Sequence, residues 1–313
     1  MELPKINYTG RIKEVKVGLG EKAVTVGGEN AYPFHLFEGQ MAHPPRMAME
    51  VYDLPPEDWP KAALDPFQDV VHDPLAWAQK CINVYGAEMI CLQLTSIDPN
   101  GANRPAEEAA ALTQKLAAAI PVPLMVWGCG NDEKDAETLR QVSERCAGRH
   151  LILGPVTEKN YKQIGAGAIA YQHTLIASSP IDVNLAKQLN VLLGNLGVPD
   201  ALVLVDPTTG GLGYGLEYTY SVMERDRMAA LTQQDERLQF PLVCNMAKEV
   251  WKVKEAKLSE AEDPRLGDPQ KRGVLMEAIT AMTLLLAGAN ILVMRHPEAI
   301  RLVREIVADL MKG

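Results

Sequence analysis

Between Asp206 and Gly215 the chain reads Asp206-Pro207-Thr208-Thr209-Gly210-Gly211-Leu212-Gly213-Tyr214-Gly215, directly after the apolar run Ala201–Val205. A carboxylate, two threonine hydroxyls and four glycines within ten residues can make many hydrogen bonds and let a backbone approach something large. Glycines at this density cost backbone entropy, and a tight turn with no ligand would account for them equally. If the apolar run is a buried strand, the set lies at its outgoing end, where parallel α/β folds place ligands. The same reasoning applied to other strand ends adds Asn245, His173 and Gly130. The candidate ligand-binding residues are therefore Asp206, Thr208, Thr209, Gly210, Gly211, Asn245, His173 and Gly130.

The elements that must position them follow from periodicity. The first thirty residues read as a hairpin: Ile12, Val15 and Val17 alternate with charged residues, Gly18-Leu19-Gly20-Glu21 turns, and Ala23–Val26 returns. Strands are expected at Phe34–Phe37, Met89–Leu94, Leu124–Trp127, His150–Leu153, Ala168–Tyr171, Ala201–Val205, Leu242–Cys244 and Ile291–Met294. Helices are expected at Pro74–Tyr85, Pro105–Ala119, Glu133–Arg145, Glu158–Ile164, Ile181–Leu196, Leu216–Glu236, Arg272–Ala287 and Pro297–Met311. Asp73-Pro74 and Asn131-Asp132-Glu133 carry helix-start signals. Eight strand–helix units predict a (β/α)8 TIM barrel over 31–313, preceded by an N-terminal β-hairpin extension over 1–30; a doubly wound sheet is the alternative. Two segments, 39–71 and 252–273, break the rhythm and read as long loops that serve as functional lids, interfaces or surface excursions.

The expected strand exits are rich in amides, hydroxyls and small residues, which suits a large ligand bearing amide and carbonyl groups better than a small anion. Structural roles compete at each. Asp98 and Asp206 both precede proline and fit turn caps. His173 fits a satisfied barrel histidine, Asn131 an N-cap, and Arg295-His296 the start of the last loop. Glu38, placed inside the barrel by this reading, needs a partner or a raised pKa.

Composition narrows the classes. The 313 residues are 47% hydrophobic and 23% charged with net charge −9, which argues against nucleic-acid and anionic-membrane partners. Aromatics at 5% argue against a base-stacking platform. No apolar core follows Met1-Glu2-Leu3-Pro4-Lys5 and no apolar run reaches a spanning length, so a cytoplasmic protein is expected. The five cysteines (81, 91, 129, 146, 244) are too far apart for a local redox pair or iron–sulfur motif. Cys91 and Cys244 read as core. P-loop, Gly-x-Ser-x-Gly and His-Glu-x-x-His motifs are missing. Gly165-Ala-Gly167-Ala168-Ile169-Ala170 matches a dinucleotide fingerprint in form but precedes an expected strand rather than following one.

The stretch from Asp206 through Glu217-Tyr218-Thr219-Tyr220-Ser221-Val222-Met223-Glu224-Arg225 closely resembles the small (delta) subunit of the corrinoid iron–sulfur protein of the acetyl-CoA pathway. Phe34-His-Leu-Phe-Glu-Gly, Ile97-Asp-Pro-Asn, Val126-Trp-Gly-Cys-Gly-Asn and Asn290-Ile-Leu-Val-Met-Arg-His-Pro extend the resemblance over nearly the full length. It implies a barrel that shares a corrinoid (cobamide) with a large subunit, which carries the [4Fe–4S] cluster and the cobamide-binding domain; no iron–sulfur cluster is expected in this chain. It further implies methyl transfer from methyltetrahydrofolate, through a methyltetrahydrofolate:corrinoid methyltransferase, to CO dehydrogenase/acetyl-CoA synthase. The chain lacks Asp-x-His-x-x-Gly, with which another group of corrinoid proteins ligates cobalt. The competing reading is a stand-alone pterin-dependent methyltransferase, with Asp98, Asn131, Asp206 and Asn245 on the pterin ring.

Overall fold

Valine alternating with charged or polar residues makes the first two strands. β1 (Val15–Val17) and β2 (Val24–Val26) pair antiparallel, with Val15 opposite Val26, in a computed structural model that describes residues 4–312. Eight parallel strands follow: β3 (Arg46–Tyr52), β4 (Met89–Gln93), β5 (Leu124–Trp127), β6 (Ile152–Val156), β7 (Thr174–Ser178), β8 (Val203–Asp206), β9 (Leu242–Asn245) and β10 (Ala289–Met294). They close into a barrel in chain order, β10 pairing with β3. The (β/α)8 architecture and the N-terminal hairpin expected from the sequence are both present.

Two apolar layers hold this arrangement. One lies between strands and helices. The other fills the barrel, where one residue pointing inward from each strand (Ala48, Cys91, Met125, Ile152, Ile176, Leu204, Val243, Val293) joins Val15, Val17 and Val26 of the hairpin. The hairpin sits beneath the strands' leading ends: Lys13 N donates to Gln239 O at 2.8 Å and Gly18 lies against Pro123, both just ahead of barrel strands. It is the floor of the barrel, and side chains alternating along each strand make the layers above it.

A buried polar knot ties the floor to the wall. Arg227, fully buried, donates to Gly288 O at 2.7 Å, Phe240 O at 2.9 Å and Asn290 Oδ1 at 2.6 Å. Asn290 Nδ2 in turn donates to Glu29 Oε1 at 2.8 Å. Helix starts follow the capping rules: Asp73, Asn131, Asp182 and Asp268 each accept from a backbone N–H one turn in.

Two expected strands lie elsewhere. Phe34–Phe37 forms tight turns, with His35 N bonded to Tyr32 O at 3.0 Å and Glu38 N to His35 O at 2.9 Å. The first barrel strand is instead Arg46–Tyr52, inside the segment expected to be a long loop. Its arginine and glutamate disguised it. Ala168–Tyr171 is the last turn of a helix over Tyr161–Tyr171, which Gln172 ends in the left-handed region at φ 58°. A short apolar run fits helix or strand equally, and the strand begins at Thr174. The fingerprint-like Gly165 and Gly167 lie in that helix and pack against Leu196 and Ser143. The 252–273 segment holds a helical turn at Lys254–Lys257, a 3-10 turn at Pro264–Leu266 and the start of helix Pro269–Leu286. No helix among the described residues is long and apolar enough to cross a membrane.

Candidate functional site at the barrel mouth

The period-two pattern of every barrel strand continues one step above the apolar layer. Two residues beyond Ala48, Cys91, Met125, Ile152, Ile176, Leu204, Val243 and Val293 stand Glu50, Gln93, Trp127, Gly154, Ser178, Asp206, Asn245 and Arg295. Dry aliphatic packing therefore gives way, within one layer, to amides, a hydroxyl, carboxylates and a guanidinium.

The layer is wired in two halves. In one, Gln93 Nε2 donates to Asn245 Oδ1 at 3.0 Å and to Glu50 Oε2 at 3.4 Å. Arg295 Nε donates to Glu50 Oε1, and Nη2 to Tyr52 Oη at 3.3 Å. The guanidinium also lies 3.5 Å from the centroid of Trp59. In the other half, Asp206 accepts from Ser178 Oγ at 2.6 Å and from Thr208 N at 3.0 Å. With no cation against it among the described residues, burial raises the Asp206 carboxyl to about 6. Glu277, equally buried, accepts from Trp251 Nε1 at 2.9 Å and from the backbone of Arg295 and His296. Its carboxyl is raised to about 7, again by burial.

The loop after β8 is largely self-contained. Thr208, exposed at the rim, adopts φ 60°, unusual for a β-branched residue. Its hydroxyl donates to Ser179 O at 2.5 Å, and its carbonyl accepts from Thr219 Oγ1 at 3.0 Å. Gly210 N donates to Thr219 Oγ1 at 2.9 Å. A Cβ on Gly210 would come within 2.5 Å of the Gly215 carbonyl, and one on Gly211 within 3.0 Å of Glu249 O. These two glycines let the loop fold on itself and against the helix after β9, Ala247–Trp251. Thr209 Oγ1 and Ser179 Oγ, both buried beside this loop, have no hydrogen-bond partner among the described residues.

The sequence candidates divide accordingly. Asp206 and Asn245 stand in the mouth layer, and Thr208, Thr209, Gly210 and Gly211 on the rim beside Asp206. Gly130 is on the rim after β5, its N–H donating to Asp135 Oδ2 at 2.9 Å. His173 is not at a strand exit: it precedes β7, at the floor end, fully buried, accepting from Leu151 N at 3.1 Å and facing Ser143 O at 2.9 Å. Asp98 caps a turn through Asn100 N at 2.8 Å, and Asn131 caps its helix through Lys134 N at 3.0 Å. Glu38 lies outside the barrel and accepts from Ile6 N and Tyr8 Oη, both at 2.9 Å. Its carboxyl is held below the ordinary range, chiefly by the Ile6 N–H, instead of being raised. Half-buried Cys129 is not activated, since burial pushes its thiol up to about 11. Gln93, Ser178, Glu50 and Trp127 were missed, although each is the second residue after an inward-pointing apolar one. No group of three or more His, Cys, Asp or Glu among the described residues lies close enough to hold a metal ion.

Comparison with known proteins adds to this geometry. Residues 14–308 match the family described as CO dehydrogenase/acetyl-CoA synthase delta subunit. The acetyl-CoA decarbonylase/synthase complex subunit delta of Archaeoglobus fulgidus is 34% identical, covering 98% of this chain and 70% of that protein. Its counterpart from Methanopyrus kandleri is 35% identical, covering 97% and 76%. Among solved structures, Xanthomonas albilineans dihydropteroate synthase has the same fold, with TM-score 0.59 at 14% identity over 96% of this chain and 98% of that one.

Proposed function

Because the chain belongs to the CO dehydrogenase/acetyl-CoA synthase delta subunit family, we propose that it is the small subunit of a heterodimeric corrinoid iron–sulfur methyl carrier. The observation that carries the reading is the family match over residues 14–308, joined to a barrel mouth whose amides and hydroxyl stand beside two carboxylates and a paired guanidinium. A bound cobamide supplies the cobalt that carries a methyl group from a methyltetrahydrofolate-dependent methyltransferase to acetyl-CoA synthase.

The donor set suits a ligand edged with amide groups. Gln93 and Asn245 pair with each other, which leaves the second Asn245 N–H and the remaining carbonyl lone pairs of both for a ligand. The buried, unpartnered hydroxyls of Thr209 and Ser179 are satisfied when a ligand carbonyl or amide reaches the rim. Trp127, half-buried at the top of β5, offers a flat apolar surface. In this role the chain positions the ligand and excludes water. The large subunit contributes the cluster, the cobamide-binding domain and the rest of the pocket.

The pterin-dependent methyltransferase reading retains Asp206 and Asn245 but loses support at Asp98 and Asn131, whose side chains form a turn and a helix cap. The likeness to dihydropteroate synthase is one of fold. Co-expression with the candidate large subunit, purification and a visible absorption spectrum test the proposal. A one-to-one complex with corrinoid bands is expected. A colourless chain that joins no such complex, yet binds methyltetrahydrofolate tightly by calorimetry, would overturn it.

A further inference from the structure

Beside the mouth, under the turn that follows β3, lies a cavity of about 590 Å³. Its walls include Tyr52, Trp59 and Trp251, with Leu54, Pro55 and Pro56 from the turn. Its cations are Arg295, Lys248 and Lys252. The Arg295 side chain is only 3% exposed. Glu50 takes its Nε–H and Tyr52 one Nη2–H, while Nη1 has no hydrogen-bond partner among the described residues. Nη1 is not sealed from solvent but opens to the cavity, and an in-plane pair of N–H groups there fits a carboxylate. Trp59 covers one face of the guanidinium and fixes its plane.

The free edge of Arg295 sets the ligand's sign. Glu50 balances Arg295, so a further anion must be balanced by the exposed lysines at positions 248 and 252. Lys252 also touches Glu249. The lining also includes two exposed acids, Glu57 and Asp58, and Asp58 is 3.4 Å from Lys257. Aromatic and proline walls call for an apolar body behind the charged head.

We propose that this cavity is a binding site for an organic carboxylate with an apolar body, its head group on the free edge of Arg295 within the field of Lys248 and Lys252. The cavity adjoins the mouth layer through Arg295 and Glu50, does not rest on the cobamide reading, and is tested on the full chain alone, without corrinoid. Trp59 and Trp251 report occupancy through their fluorescence. Phenylacetate and hexanoate, titrated up to roughly 10 mM, are expected to bind saturably and to change the emission, with inorganic phosphate binding more weakly. Lys248→Ala/Lys252→Ala, at exposed positions, is expected to weaken phenylacetate binding roughly threefold to tenfold with an unchanged Tm. Arg295→Lys keeps a charge beside Glu50 but loses the planar fork, and is expected to weaken binding by roughly tenfold or more. Should Arg295→Lys fail to fold, the lysine pair decides. The proposal is overturned by absence of saturable binding, by affinity indifferent to the lysine pair, or by phosphate binding as tightly as phenylacetate.

Discussion

Asp206 shows how a single residue records its surroundings. Its partners are a hydroxyl and one N–H, too few to offset burial, so its carboxyl stands at about 6 instead of its ordinary 3.8. Between those values the folded state holds a proton that the unfolded chain has released. Stability therefore falls as pH rises through this window, and the full penalty is present above it. A shift of this size corresponds to on the order of 3 kcal/mol. Asp206→Asn, which can keep both hydrogen bonds, should be more stable than the wild type near pH 8 and should lose that advantage near pH 4. Thermal unfolding across that range measures it; an advantage that does not change with pH would refute the assignment. Gly210 carries a different signal. Its replacement by Ala meets backbone at 2.5 Å, so the variant should loosen the 208–216 loop and raise hydrogen exchange there. A Gly211 substitution would also press on Glu249, so ligand loss in such a variant has to be read beside its Tm.

Among the elements, the hairpin does the most for the barrel's interior. Val15 is fully buried in the apolar layer that fills it. Val15→Asp places an unpaired carboxylate there and should cost about 4 kcal/mol or more. Unfolding by denaturant would show this as a large drop in midpoint. The hairpin was legible because its valines alternate around a glycine turn. Six of the eight barrel strands were legible as apolar runs at or near their true positions. β3 was not, because Glu50 inside it becomes tolerable only through Arg295, which lies 245 positions away. β7 was misplaced because Ala-Ile-Ala-Tyr suits a helix as well as a strand, and the left-handed stop at Gln172 has no strong sequence mark. The mouth was half legible for the same reason. Asp206 and Asn245 announce themselves after apolar runs, whereas Gln93 sits inside one and gains meaning only across the barrel from Asn245.

At the scale of the whole molecule, a mouth open on one side gives an incomplete enclosure for a large ligand. The isolated chain should hold cobalamin weakly, with Kd above about 10 μM by calorimetry, and retain it only when the large subunit covers the mouth. Nanomolar binding by the single chain would contradict a shared pocket. The knot at Arg227 bears on how such a molecule is made. Glu29 meets Asn290 across 261 positions, and β3 finds its second neighbour only in β10. Until residues 289–294 have left the ribosome, the sheet hangs open with β3 and β9 as bare edges. Closure over such separations is slow. A nascent chain arrested just short of Ala289 is thus the species most open to mispairing, and the one that would draw a chaperone.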